Sequence, residues 1–468
     1  MNYFFRSFCQ SVILLSLIVF SIDVSSQTRT RDFVRVKNNS FELNGEPYYF
    51  LGTNFWYGLN LGAKGKGGNR DRLIRELDRL NSLGIKNLRV MAGSEGPDTE
   101  PWRMAPALQT SPGVYNEDVL EGLDFLLFEM RKRDMKAVMC LNNFWPWSGG
   151  MSQYLIWAGF AESIPYPPPH PGGDWGTYAK FTANFYSNSK AMKLFDDHIR
   201  FILSRKNKYS NLRYTNDPTI MSWELANEPR GVDNLSQFAE WIKHTSELIK
   251  NLDTNHLVTT GSEGATSDPT SSGTDLIKDH SYKAIDYATA HLWVQNWGYY
   301  DPLKAEESYP VALSYAKKYI KDHAEMGERL GKPLVLEEFG ISRDLNDHSA
   351  SSTTLVRDKY YKEVFEETLK YMRKDNLKIA GCNFWAWGGE GRPAQPKAIW
   401  KAGDNFIGDP PHEYQGWYSV YDTDSSTISI LRDYTGKVNQ LNKQKKGKGA
   451  GEKNKNKKAT GTKTQIKL

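Results

Sequence analysis

Cysteine is scarce in this chain: three in 468 residues, at Cys9, Cys140 and Cys382. Too few remain for a disulfide framework. None stands in the CxxC or Cys-His spacing that holds zinc, so Cys140 and Cys382 read as buried thiols. Long apolar runs are equally wanting. The one near the N-terminus, Ser11 to Phe20, spans ten residues, where a bilayer crossing needs roughly 20. It follows Arg6 and precedes the small residues Val24-Ser25-Ser26, the order of a signal peptide over residues 1–26. The expectation is a secreted protein with no membrane span. Histidine is sparse too, nine scattered residues without metal-ligand spacing. Neither a metal nor a cofactor is expected, and Asp422-Thr423-Asp424 is too short for a calcium loop.

An excess of charge is missing as well, once its location is considered. The net charge is +5, but ten lysines and a single glutamate stand between Lys443 and Leu468. That tail carries +9, the signal segment sums to zero, and the body from 27 to 442 is left at −4. A slightly acidic body argues against nucleic acid as a partner. The tail, residues 443–468, is low in complexity and is expected to be disordered; its lysines suit an anionic surface. Aromatic residues are plentiful: fourteen tryptophans and twenty-five tyrosines. Their flat apolar faces with polar edges match the C–H faces of sugar rings, although core packing draws on the same residues.

After a short hairpin at Phe33 to Pro47, with Asn44-Gly45 as its turn, strands and helices alternate. The expected strands are Tyr48–Asn54, Asn87–Met91, Lys136–Asn142, Ile220–Ala226, Leu257–Gly261, Tyr287–His291, Leu334–Glu338 and Ile379–Trp385. Most are short apolar runs, as strands buried on both faces require. Helical periodicity marks a first segment through Leu73, Leu77, Leu80 and Leu83, capped by Asn69 and closed by Gly84. It recurs over Val119–Arg133, Ser236–Asn251, Tyr309–Leu330, Leu355–Lys374 and Ile428–Asn442. Eight such repeats predict an α/β fold, a (β/α)₈ TIM barrel, rather than an open doubly wound sheet. The link between the fifth and sixth strands is only weakly helical. A bare barrel needs about 250 residues, so long loops are expected at the C-terminal ends of the strands, chiefly Ile164–Gly173 and Gly388–Thr427.

Polar residues gather where these apolar strands end: Asn54, Arg89, Asn142, Asn227 with Glu228, Glu263, His291, Glu338 and Trp385. A packed barrel interior gains nothing from them, whereas a catalytic rim does. Two glutamates facing each other across the mouth suit glycoside hydrolysis, in which one carboxyl protonates the leaving oxygen and the other attacks or activates water.

The string Asp217-Pro218-Thr219-Ile220-Met221-Ser222-Trp223-Glu224-Leu225-Ala226-Asn227-Glu228-Pro229-Arg230 resembles the acid/base signature of glycoside hydrolase family 5, in particular its endo-β-1,4-mannanase branch. Pro333-Leu334-Val335-Leu336-Glu337-Glu338-Phe339-Gly340 resembles its nucleophile segment. The segments Leu108–Glu117, Gly149–Tyr154 and Asn383–Glu390 are similar to other strings of that branch. The resemblance spans Phe33 to Asn442. It implies a retaining enzyme that hydrolyses internal bonds of mannan, glucomannan or galactomannan, with Glu228 as acid/base and Glu338 as nucleophile. Glu337 is the rival nucleophile, because adjacent strand residues point to opposite faces; the family places the nucleophile directly before Phe-Gly. It further implies that Asn227 contacts the 2-hydroxyl of the cleaved sugar, that Arg89 orients the nucleophile, that His291 is the active-site histidine and that Trp385 floors the site. Glu228 should be held protonated beside an ionised Glu338. One departure stands out: members often carry tyrosine two residues after that histidine, bonded to the nucleophile, and this chain has Trp293. Trp56 and Trp102 are further sugar-binding candidates, with Trp145, Trp157, Trp297 and Trp387 behind them; Asn142 is a candidate substrate contact. A β-1,4-glucanase, an exo-acting glycosidase and a non-catalytic polysaccharide-binding protein are the alternatives.

Overall fold

The structure, a computed structural model, describes residues 32–266, 272–374 and 379–460. The proposed signal segment and residues 461–468 lie outside the described residues. Eight strands make up the main sheet: β1 (Phe50–Asn54), β2 (Asn87–Met91), β3 (Lys136–Cys140), β4 (Ile220–Glu224), β5 (Leu257–Thr259), β6 (Ala288–Leu292), β7 (Leu334–Phe339) and β8 (Ile379–Phe384). After them in turn come α1 (Arg70–Ser82), α2 (Glu117–Arg131), α3 (Ser189–Ser204), α4 (Leu235–Leu252), α5 (Leu276–His280), α6 (Ala305–Leu330), α7 (Leu355–Arg373) and α8 (Ser425–Thr460). The strands form one parallel ladder in the order β5-β4-β3-β2-β1-β8-β7-β6.

The ladder's two ends meet. The Asp286 N–H donates to Val258 O (2.8 Å) and the His291 N–H to Glu263 O (3.1 Å). The Thr259 and Thr289 hydroxyls donate to the carbonyls of Tyr287 and Ser262, each at 2.9 Å. These bonds draw β5 and β6 together into a (β/α)₈ barrel. The weak link expected between them is the five-residue α5.

All eight strands hold nearly buried residues throughout, which is why apolar runs located them. The segment before β1 folds into a three-stranded antiparallel sheet. Both turns have positive φ, at Asn38-Asn39 and at Asn44-Gly45, the conformation that favours Asn and Gly there. This sheet puts Phe41 against Phe50, Val138, Met221, Leu257, Tyr287 and Val335. These residues plug the N-terminal mouth of the barrel and leave the polar rim at the other end.

α3 was not among the expected helices. Its core-facing Ala191, Phe195, Ile199 and Ile202 alternate with Lys190, Lys193, Asp196, Asp197 and Arg200, which dilute the apolar signal. The last helix also corrects an expectation. It continues to Thr460, so residues 443–460, expected to be disordered, are helical. A helix already nucleated by packing elongates at little cost, and α8 is well anchored: the Asn442 side chain exchanges 2.9 Å hydrogen bonds with both the N–H and the C=O of Tyr49. Lys445 and Lys446 reach Tyr49 and Glu46. Cys140 and Cys382 are buried and unpaired. Among the described residues no helix is long and apolar enough to cross a membrane.

Candidate active site

The rim is organised around one guanidinium. Arg89, near the end of β2, donates through Nε and Nη2 to both oxygens of Glu224 (2.9 and 2.5 Å). Its Nη2 also reaches Asn227 Oδ1 (2.8 Å), and its Nη1 reaches Asn54 Oδ1 (3.1 Å) and the Glu338 carboxylate. Arg89 thus bridges the Glu338 carboxylate on the rim and Glu224 beneath it. Bidentate, charge-assisted bonds of this kind fix geometry tightly.

Glu228 lies in the turn after β4 with φ +49°. Its N–H donates to Gly261 O, and the Asn227 N–H to Asn142 O, each at 2.9 Å, so the turn is tied to the tips of both neighbouring strands. Three N–H groups converge on its carboxylate: Trp145 Nε1 (2.5 Å), His291 Nδ1 (2.7 Å) and Trp293 Nε1 (3.3 Å). His291 Nδ1 is also 3.4 Å from Glu338 Oε2. One carboxylate oxygen of Glu228, one of Glu338 and His291 Nδ1 or Nε2 all lie within 4.8 Å of one another. A cation there would compete with Arg89 and two indole N–H groups already aimed at the same oxygens, so the arrangement suits a working carboxylate pair.

Above the pair opens a cleft of about 530 Å³ whose lining includes Trp145, Trp147, Trp175, Trp293, Trp297, Trp385 and Trp417. A family model described as "GH family 5 beta-mannosidase-like" matches residues 31–443. The chain belongs to glycoside hydrolase family 5. It is 30% identical over 366 residues to mannan endo-1,4-β-mannosidase 1 of Solanum lycopersicum, an alignment covering 75% of this chain and 83% of that one. The crystal structure of a glycoside hydrolase family 5 mannosidase from Rhizomucor miehei superposes with a TM-score of 0.82 at 39% identity, over 89% of this chain and all of that one. The endo-β-1,4-mannanase of Thermotoga petrophila superposes at 0.60 with 25% identity, over 84% and 77% of the two chains.

In this family 5 hydrolase, Asn227, Glu228, Glu338, Trp293 and Trp385 all line the cleft, with Arg89 and His291 buried just beneath them. The remaining candidates are elsewhere. Trp56 is packed against Trp147 and Phe406 and donates to Gly408 O (2.9 Å). Trp102 packs on Tyr166 and His170, outside the cleft lining. Asn142 is wholly buried, its Oδ1 taken by the Asn143 N–H. Of the secondary tryptophans, Trp145 and Trp297 face the cleft; Trp157 and Trp387 do not, the latter donating to Glu76. Sequence reasoning missed Trp175, His412, Glu413 and Trp417. The last three sit on the predicted long loop after β8, and the proline loop after β3 contributes Pro168 and Pro169. Asp409 braces the former loop by accepting the N–H groups of Gly416 (2.9 Å) and Tyr418 (2.6 Å).

The protons are distributed in the reverse of the expected order. Burial pushes Glu228 up, but the hydrogen bond and charge of His291, the Arg230 charge and the Trp145 N–H outweigh it and hold it at about 2. At Glu338 burial prevails over His291 and Arg89, and the neighbouring charges of Glu228 and Glu337 add to it, leaving it at about 8. The reason lies in the donor count: Glu228 collects three N–H groups, whereas Arg89 divides itself between Glu338, Glu224, Asn54 and Asn227. Trp293, standing where members often carry the tyrosine bonded to the nucleophile, donates its N–H to Glu228 (3.3 Å).

Proposed function

We propose that this chain is a retaining hydrolase of β-1,4-mannosidic bonds in mannan, glucomannan or galactomannan, with Glu228 as acid/base and Glu338 as nucleophile. The observation that carries this reading is the close approach of the two carboxylates, with oxygens within 4.8 Å. Retaining enzymes hold their carboxyls about 5–5.5 Å apart, and inverting ones leave room for a water at about 6.5–9.5 Å. Glu338 attacks the anomeric carbon while Glu228 gives its proton to the departing oxygen. Water then attacks the glycosyl-enzyme ester and returns a proton to Glu228. The free enzyme reaches this ionisation when Glu338 sheds its proton and one moves from His291 Nδ1 to Glu228 along their 2.7 Å bond. Asn227 contacts the 2-hydroxyl and Trp385 meets the sugar's apolar face, a reading supported by the position of both in the cleft lining.

Product configuration is the direct test: a first-formed product of inverted anomeric configuration sinks the reading. Glu228→Ala should lose about 10²–10⁴-fold on mannan yet keep the first step on a substrate with a very good leaving group. Glu338→Ala should lose both.

A second reading has an observation of its own. The superposition on the Rhizomucor miehei mannosidase (0.82) is much closer than that on the Thermotoga petrophila endo-mannanase (0.60), and a variant of that mannosidase binds mannosyl-fructose, a short ligand that suits attack near chain ends. Internal attack lowers the viscosity of mannan before much reducing sugar appears; terminal attack does the opposite. We also propose export, which requires a mature N-terminus at Gln27.

A further inference from the structure

Beneath the carboxylate pair lies a third glutamate that the mechanism above leaves idle. Glu337 is fully buried, and neither of its carboxylate oxygens has a hydrogen-bond donor among the described residues. Alternation along β7 turns it into the barrel, as it does Val335, which joins the plug at the far end. Burying a carboxylate without donors is costly unless opposite charges stand nearby. Two cations stand at ion-pair rather than hydrogen-bond range: His291 Nε2 at 3.6 Å and Arg89 Nε at 3.8 Å.

The groups facing it decide which cation matters. From β2, Arg89 has its N–H groups engaged by Glu224, Asn227, Asn54 and Glu338. From β4 comes Glu224 itself, and from β3 the Cys140 thiol. Just before β6, the Tyr287 hydroxyl is bonded to Ser222 (2.9 Å). His291, on β6, is different: its Nε2 has no hydrogen-bond partner among the described residues. Its other nitrogen, Nδ1, faces Glu228 and Glu338. One imidazole therefore joins the buried Glu337 to the acid/base.

We propose that Glu337 is a positioning residue that keeps His291 charged, so that His291 stores the proton Glu228 delivers. This rests on the reading of Glu228 as acid/base. The proton on Nδ1 passes to Glu228 Oε1, and the ring stays neutral with its Nε2–H towards Glu337. Glu228 hands the proton to the leaving oxygen. The proton that Glu228 later takes from the attacking water restores the imidazolium, so no proton is gained or lost over the cycle. The elevated basicity of His291 agrees: burial opposes it, but Glu338, Glu228 and Glu337 together raise it to about 10.

The test is the pH profile of kcat/KM in Glu337→Gln, which keeps the shape and removes the charge. Loss of a negative charge lowers the proton affinity of the His291–Glu228 pair. The falling limb should move to lower pH by about one unit or more, and Glu337→Asp should restore most of that shift. A packing role would change the rate without moving the limb, and an unmoved limb in an active Glu337→Gln enzyme overturns the proposal. A measurement on the unmodified protein guards against a variant that fails to fold. In ¹⁵N-histidine-labelled enzyme at pH 7, the His291 ring should be an imidazolium, and a neutral ring there also overturns it. If a folded Glu337→Gln enzyme cannot turn over even an activated substrate while Glu338→Ala can, the nucleophile assignment beneath the proposal fails instead.

Discussion

Removing the charge of Arg89, as in Arg89→Met, should move the acid limb of activity upward and cost stability at the same time. The guanidinium is 4% exposed and touches Glu224 and Glu338, with Glu337 close by. An opposite charge at such range ordinarily holds a carboxyl down by about 1–3 pH units. Arg89 works in that direction on Glu338, against burial. Without it Glu338 rises further, and the nucleophile ionises only at higher pH. The acid limb of kcat/KM should therefore shift up by roughly 1–3 units. Breaking a buried pair by deleting one partner costs about 3–5 kcal/mol. Unfolding entropy of about 2.1 cal/mol/K per residue over about 400 residues is near 0.8 kcal/mol/K, so Tm should fall by roughly 4–6 °C. The assays are a pH–rate profile taken well below Tm and a thermal melt. An active Arg89→Met enzyme with an unshifted acid limb would refute the pairing with Glu338. An unchanged Tm would show that the carboxylates beneath the site do not depend on this cation.

Asp424, outside the cleft lining, should be a second stability determinant. It binds the fully buried Arg343 and Arg357, each at 2.7 Å, and takes the Tyr421 N–H at 2.8 Å. Asp424→Asn should cost about 3–5 kcal/mol in a denaturation experiment, with little change in kcat. Burial opposes the Asp424 charge, but Arg357 and Arg343 hold its pKa below the usual aspartate value. Its contribution is therefore present above the unfolded pKa of about 4 and lost as pH falls through the lower folded value. A wild-type advantage over Asp424→Asn that persists undiminished at lower pH would contradict this. At the C-terminus, a chain ending at Lys446 should keep Tm and activity on soluble mannan. One ending at Gln440 should lose stability, because it lacks buried Leu441 and the Asn442 bonds to Tyr49. Equal melting of the two would mean that α8 is not anchored there. Only the full-length chain should be retained by an anionic polymer at low salt and released at higher salt; equal retention of the Lys446 form removes that role from the tail.

How much of the fold could be read in advance follows from what the strands bury. Each barrel strand is covered on both sides, so it appears as an apolar run, and all eight were located to within two residues at either end. Leu73, Leu77 and Leu80 marked α1 in the same way. α3 escaped because its stripe is interleaved with five charged residues and follows a long insertion. The continuation of α8 past Asn442 escaped for another reason. Lysine-rich composition argues against packing, but it does not prevent a helix anchored upstream from continuing.

The site divides along a similar line. Residues fixed to strand ends, such as Arg89, Asn227, Glu228, His291 and Glu338, could be read because strand position determines where they point. Tryptophans on loops could not, since loop path alone decides whether an indole faces sugar or core. Trp56 and Trp145 each stand just beyond a strand, yet one packs beneath the rim and the other lines the cleft. Ionisation was out of reach for the same reason, because it depends on how many N–H groups arrive at each carboxylate. Trp293 makes the point. Read against the family pattern, it removes a partner from the nucleophile. In three dimensions its indole reaches Glu228 at 3.3 Å, beside Trp145 and His291. An indole donates and never accepts, so it stabilises the ionised form of whichever carboxylate it meets. The same position thereby works on the opposite member of the pair, and it helps to make the resting proton reside away from Glu228.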